Sequence, residues 1–132
     1  MTIEVSFEGK KGVNAKIGKH VVKTDQPTDS GGNDLAPSPY ELFLASLATC
    51  AGIYIKSFCD NRNLPTEGIK ILQHAEYDSE TKLASKLNLE IVVPASFPEK
   101  YRDALADVAG KCKVKKQIMN PPVFNVSTTI EK

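Results

Sequence analysis

The residues best suited to chemistry in this sequence are three cysteines, Cys50, Cys59 and Cys112. A thiolate is a strong nucleophile, and two neighbouring thiols pass between dithiol and disulfide. Cys50 lies inside "ELFLASLATCAGIYIKSF", Glu41 to Phe58, a stretch with almost no polar side. Two readings of it stand side by side. Free cysteine packs well as a small hydrophobe, so Cys50 is either core or a reactive thiol in an apolar helix. Cys59 follows nine residues later, half a turn out of phase and about 13 Å along the axis. The two therefore cannot bridge each other. Cys59 sits near the polar end of the helix and reads as structural.

Cys112 is the remaining thiol. It closes an apolar stripe of Tyr101, Leu105, Val108 and Cys112, spaced as one face of a second helix. Packing against the first helix on the side of Cys50 is permitted by the sequence but not required. Lys111, Lys113, Lys115 and Lys116 surround Cys112. Positive charge favours a thiolate, whereas the negative end of a helix disfavours one. The same lysines also suit an ordinary helix ending.

Other chemistries lack a signature. There is no CxxC, HExxH or spaced Cys/His set, so no metal site is expected. His20 and His74 have no nearby ligand-type neighbour and read as strand histidines. No glycine-rich phosphate loop precedes a helix, and no cofactor is expected.

The elements that must position the thiols follow from patterning. "TIEVSFE" alternates with Ile3, Val5 and Phe7 on one face, and Val13, Ala15 and Ile17 repeat the pattern after a "GKKG" turn. "HVVKTD" reads as a third strand. Residues 25–37 form a loop of Pro, Gly, Asp and Asn, either a flexible connection or a lid. "SPYE" then opens the long helix, with Ser38 at the N-cap, Pro39 at N1 and Glu41 closing a capping box. Pro65 forbids its continuation. Residues 67–77 and 82–94 read as a hairpin around "DSET". "SFPE" offers a second capping box, Ser96 with Glu99, and "PVFNVSTTIE" reads as a closing strand. The order β-β-β-α-β-β-α-β, with grouped antiparallel strands, indicates an α+β fold in a single domain, residues 1–132.

The long helix is apolar on nearly every side, yet one sheet covers only one of them. A symmetric homodimer sharing its helices is the simplest remedy. Net charge is +1, from 17 basic and 16 acidic residues, which offers no electrostatic attraction for nucleic acid or an anionic membrane. The uncharged run Leu42–Ile55 is short for a bilayer span. No leader pattern is visible, and an odd number of cysteines argues against a disulfide framework, so the cytoplasm is the expected compartment.

The pattern "APSPYELFLASLATCAG", followed by "KCKV" 62 residues after Cys50, resembles the OsmC/Ohr family of thiol peroxidases. The resemblance spans essentially the whole chain and lies closer to the OsmC-like branches than to Ohr itself. It implies an intertwined homodimer with a long buried central helix and a shared site at the subunit interface. It also implies that Cys50 attacks an organic hydroperoxide and that Cys112 resolves the sulfenic acid as a disulfide. A dithiol reductant, lipoyl-type in the Ohr branch, would then reset the pair. The Ohr pattern adds an arginine from the N-terminal strands, held by a glutamate at the start of the central helix. Here the only arginines are Arg62 and Arg102, Tyr40 occupies the glutamate position, and Glu41 follows it. Lys16, Lys19 or Lys23 would have to supply the charge. Without that arginine two other functions stay open: a non-catalytic protein binding a small hydrophobic ligand at the dimer interface, and a thiol redox sensor.

Overall fold

A computed structural model describes residues 1–131. Its elements are β1 (Ile3–Glu8), β2 (Gly12–Ile17), β3 (His20–Thr24), α1 (Pro39–Asn61), β4 (Lys70–Tyr77), β5 (Ala84–Val92), α2 (Arg102–Ala109) and α3 (Lys113–Met119). Short 3-10 turns cover Thr28–Ser30 and Glu99–Tyr101. The α+β class holds. Contacts divide the chain into two compact units, Met1–Ser46 and the residues from Leu47 onward.

In the first unit, β1, β2 and β3 form an antiparallel sheet in that order. Ile3 faces Ile17, Val5 faces Ala15 and Phe7 faces Val13, so the alternating residues line up on one face. That face is not covered: Phe7 is 86% exposed and Val5 54%. The loop of residues 25–37 is an ordered knot rather than a flexible tether. Asp25 is buried, and its carboxylate accepts the backbone N–H groups of Gln26 (2.7 Å), Leu35 (3.1 Å) and Asn33 (3.3 Å). These bonds, led by that of Gln26, hold its pKa below the ordinary carboxylate value. Gly32 is required here, because a Cβ would sit 2.0 Å from the Gln26 carbonyl oxygen.

α1 is closed at both ends. Ser38 Oγ accepts the Glu41 N–H at 3.2 Å, and Glu41 Oε1 accepts the Ser38 N–H at 3.3 Å, a complete capping box. At the far end Asn63 turns left-handed (φ 54°). The Leu64 N–H then reaches the Cys59 carbonyl at 2.8 Å and the Asn63 N–H reaches that of Asp60 at 3.2 Å, a Schellman closure. The 23 residues make a rod of about 35 Å. By length and composition alone this helix would also suit a bilayer.

In the second unit, β4 and β5 form a hairpin pairing Ile71 with Ile91 and Ala75 with Leu87. Asp78 fixes its turn by accepting from Thr81 (2.8 Å) and Glu80 (2.9 Å). The core gathers Ala51, Ile55, Phe58 and Cys59 of α1 with Phe97, Leu105 and Ala109. Arg62 closes one end of it, its guanidinium 3.7 Å from the centre of the Phe58 ring and donating to the Phe58 carbonyl at 3.3 Å.

Within the single chain the central helix buries one stripe, Ala51, Ile55, Phe58 and Cys59, and leaves Ile53 57% exposed, as a helix shared in a dimer would. The structure corrects three expectations. Ser96 does not cap a helix: the chain enters through a 3-10 turn after Pro98, with no side-chain cap bond, while Phe97 anchors in the core. Residues 121–131 form no strand, because no β-edge of the chain pairs with them, and Val123, Phe124, Val126 and Ile130 stand exposed. Finally, the second helix stops at Ala109, and Cys112 begins a new one.

Candidate active site

The break between α2 and α3 reverses the electrostatics expected at Cys112. Gly110 and Lys111 end α2, and the backbone at Cys112 then turns extended (φ −58°, ψ 128°). The cysteine becomes the N-cap of α3, and its Sγ accepts the Lys115 N–H at 3.4 Å as a serine oxygen would. It therefore stands at the positive end of a short helix rather than the negative end of a longer one.

Cys50 projects from the middle of α1 toward the same turn. The nearby Val114 N–H, the Cys112 thiol and the Lys113 N–H, with the Lys113 charge, lower its pKa against the opposing effect of burial. Cys112 shifts the other way: burial raises its pKa first, and the neighbouring Cys50 adds to this. Cys112 is 3% exposed and Cys50 half-buried. Its S–H also points at the Leu47 carbonyl oxygen, 4.0 Å away and thus a weak acceptor. The arrangement is a close thiol pair in which Cys50 is shifted toward the thiolate and Cys112 toward the thiol. Both cysteines are free thiols.

Cys59 is 0% exposed, and burial raises its pKa, so it is part of the core. The supporting residues named from the sequence all belong to the first unit. Glu41 is engaged in the capping box, Tyr40 stacks on Phe43 with ring centres 6.1 Å apart, and Lys19 sits in the exposed turn between β2 and β3. Arg62 is committed to Phe58, and Arg102 starts α2. The positive charge of Lys113 acts on Cys50. Sequence reasoning missed the Val114 N–H, because a backbone donor leaves no residue type to read. Gly110 was the available signal, as glycine often follows a helix end.

Beside the pair lies a cavity of about 390 Å³. Leu47, Leu89, Ile91 and Ala106 supply apolar wall, Gln73 and Lys115 polar edges, and Cys112 part of the lining. Cys50 is not in the wall. Among the described residues no cluster of His, Cys, Asp and Glu could hold a metal.

A family profile described as OsmC-like protein matches residues 31–127, a span that holds both thiols and the whole of α1. The chain belongs to the OsmC-like family. Comparison with curated proteins found no significant match. Solved structures share the OsmC-like fold at low identity. One is an osmotic stress-induced and detoxification response protein from Psychrobacter arcticus (22% identity, 89% of this chain and 87% of that one, TM-score 0.75). Another is an organic hydroperoxide resistance protein OsmC from Legionella pneumophila (18% identity, 89% of each chain, TM-score 0.53). A third, from Vibrio cholerae, is described as an organic hydroperoxide resistance protein with captopril in one of its active sites (13% identity, 92% and 86%, TM-score 0.54).

Proposed function

We propose that this OsmC-like protein serves a stress-related redox role as a thiol peroxidase for organic hydroperoxides. The observation that carries the reading is the close pair: Cys50 shifted toward the thiolate by the start of α3, with Cys112 shifted toward the thiol beside it. The Cys50 thiolate attacks the outer peroxide oxygen, forming a sulfenic acid and releasing an alkoxide that leaves as alcohol once protonated. The Cys112 thiol then condenses with the sulfenic acid, giving a disulfide and water. A dithiol reduces the disulfide and restores both thiols. The first reductive half uses no cofactor, and a reducing cytoplasm suits a protein that must return to the dithiol state. The Legionella and Vibrio proteins, named for organic hydroperoxide resistance, support this substrate class.

The site belongs to a homodimer in this reading. The uncovered apolar face of β1–β3, the exposed Phe43 and Ile53 of α1, and the unpaired apolar residues 123–130 are surfaces a second copy would bury. Sedimentation equilibrium showing a monomer at micromolar concentration refutes the dimer.

The test is to add one equivalent of cumene hydroperoxide to reduced protein and map disulfides by mass spectrometry. A Cys50–Cys112 bond, formed with loss of one peroxide per bond, is the expected result. A Cys50 that stays reduced while peroxide persists overturns the reading. The cavity favours a second reading, a carrier of a small hydrophobic ligand. Ligand binding undiminished in Cys50→Ser, together with an unreactive Cys50, would select it.

A further inference from the structure

Cys50 and Cys112 are a pair of thiols without a third partner. Cys112 Sγ lies 4.0 Å from the Leu47 carbonyl oxygen. Leu47 and Cys50 are three residues apart on α1 and share a face of it, so the second thiol stands about one helical turn from the first. The two also act on each other's ionisation. Among the described residues no His, Asp or Glu completes a set of three with them. Two sulfurs are too few for a structural zinc, which takes four ligands. Copper(I) accepts two thiolates, but that complex is an anion, and its charge would lie in a largely buried, apolar place. Trivalent arsenic with one carbon substituent has two further bonds to make, and its dithiolate is neutral. The surroundings suit the substituent. Cys112 borders the cavity of about 390 Å³, whose walls Leu47, Leu89, Ile91 and Ala106 are apolar, and a cavity of this size suits a small ligand. We infer that Cys50 and Cys112 form a chelating site for lipophilic organoarsenicals of the arsonous acid class, with arsenic bridging the two sulfurs and the organic group in this cavity. The inference stands apart from the peroxidase reading, since it needs no peroxide chemistry.

Cys50 is half-buried and Cys112 only 3% exposed, so capture begins at Cys50 and the chelate closes inward. The Cys50 thiolate bonds to arsenic and displaces one hydroxide. That hydroxide takes the proton of the Cys112 thiol and leaves as water. The Cys112 sulfur then bonds to arsenic and displaces the second hydroxide, which becomes water with a proton from solvent. Two As–O bonds break and two As–S bonds form. Arsenic stays trivalent, so neither oxidant nor reductant is required. The second As–S bond is made within one molecule, which raises the affinity above that of a single thiol by about 10²–10⁴-fold.

The experiment treats reduced full-length protein with one equivalent of phenylarsonous acid, the hydrate of phenylarsine oxide. Intact mass under native conditions should show one phenylarsenic unit gained and two thiol hydrogens lost. Iodoacetamide added next should find both Cys50 and Cys112 shielded. Shielding of neither, or of one alone, overturns the inference without recourse to any variant. The dissociation constant is then measured by displacement with glutathione. Cys50→Ser and Cys112→Ser should each bind about 10²–10⁴-fold more weakly than the wild type. A wild type that binds no more tightly than these variants overturns the chelate. In a further arm, Ala106→Phe narrows the cavity from an exposed wall position. It is expected to weaken the phenyl compound about tenfold more than methylarsonous acid, whose substituent is smaller. Equal weakening of the two overturns the cavity as the seat of the organic group. A protein that chelates the arsenical yet leaves peroxide intact upholds this inference and overturns the peroxidase reading alone.

Discussion

Replacing Cys112 by alanine and by serine separates what its side chain does for Cys50 from what it does as a resolver, since neither variant forms the disulfide. Serine keeps a hydroxyl that caps α3 and donates to the Cys50 sulfur, whereas alanine keeps neither. Loss of the cap costs about 1 kcal/mol of stability. Loss of a hydrogen bond to a charged acceptor costs about 1.5–3 kcal/mol, and the half-buried setting of Cys50 places it at the low end. At a pH where the thiol form predominates, about 1.5 kcal/mol corresponds to roughly a tenfold loss of thiolate. The weaker acid is a somewhat better nucleophile, which offsets part of that loss. Cys50 in Cys112→Ala should therefore be alkylated by iodoacetamide several-fold to about tenfold more slowly than in Cys112→Ser. The rate is followed by intact mass at fixed pH, and a parallel pH series should show the alanine profile displaced to higher pH. Equal rates, or faster alkylation in the alanine variant, refute the claim that the Cys112 side chain lowers the pKa of Cys50.

Leu105→Ala removes a side chain that is 1% exposed in the core, and should lower the urea-derived stability by about 2–5 kcal/mol at fixed protein concentration. Cys59→Ser sets a hydroxyl in an apolar core and should destabilise by about 1–3 kcal/mol while leaving the alkylation rate of Cys50 unchanged. Asp25 and Asp78 both have depressed folded-state pKa values, set chiefly by backbone N–H donors. Their stabilisation is fully present above the ordinary aspartate value and is lost as pH falls below it through the folded values. Asp25→Asn should accordingly be less stable at neutral pH and show a shallower loss of stability below about pH 4 in urea titrations.

The parts of the fold legible in the sequence were those written as a local pattern. The three N-terminal strands, the hairpin about Asp78 and both ends of α1 depend on alternation, a capping box and a proline stop, and all fall within a few residues of where the pattern places them. Cys50 and Cys112 were legible as candidates because cysteine is a conspicuous residue type. What brings them together was not. The Tyr101, Leu105, Val108, Cys112 spacing continues as helix on paper, and only the conformation at Gly110 and Lys111 interrupts it. Cysteine is also not among the usual N-cap residues, so nothing in the composition marks a second helix start. The peptide groups that, with Lys113, lower the pKa of Cys50 carry no mark in the residue types. The closing strand failed for a different reason. Alternation describes a face that needs covering, and pairing requires an edge that the single chain does not supply to residues 121–131.

The two closures of α1 have a mechanical consequence. A 23-residue helix locked by a capping box at one end and a Schellman turn at the other is a stiff beam, and Cys50 rides at its middle. α3 has seven residues, too few to hold a helix unaided, and hangs from Gly110 and Lys111. Were the two thiols to join as a disulfide, the compliance would be on the side of Cys112. In the proposed peroxidase cycle, disulfide formation would move this small lever, with Cys50 as its fixed point.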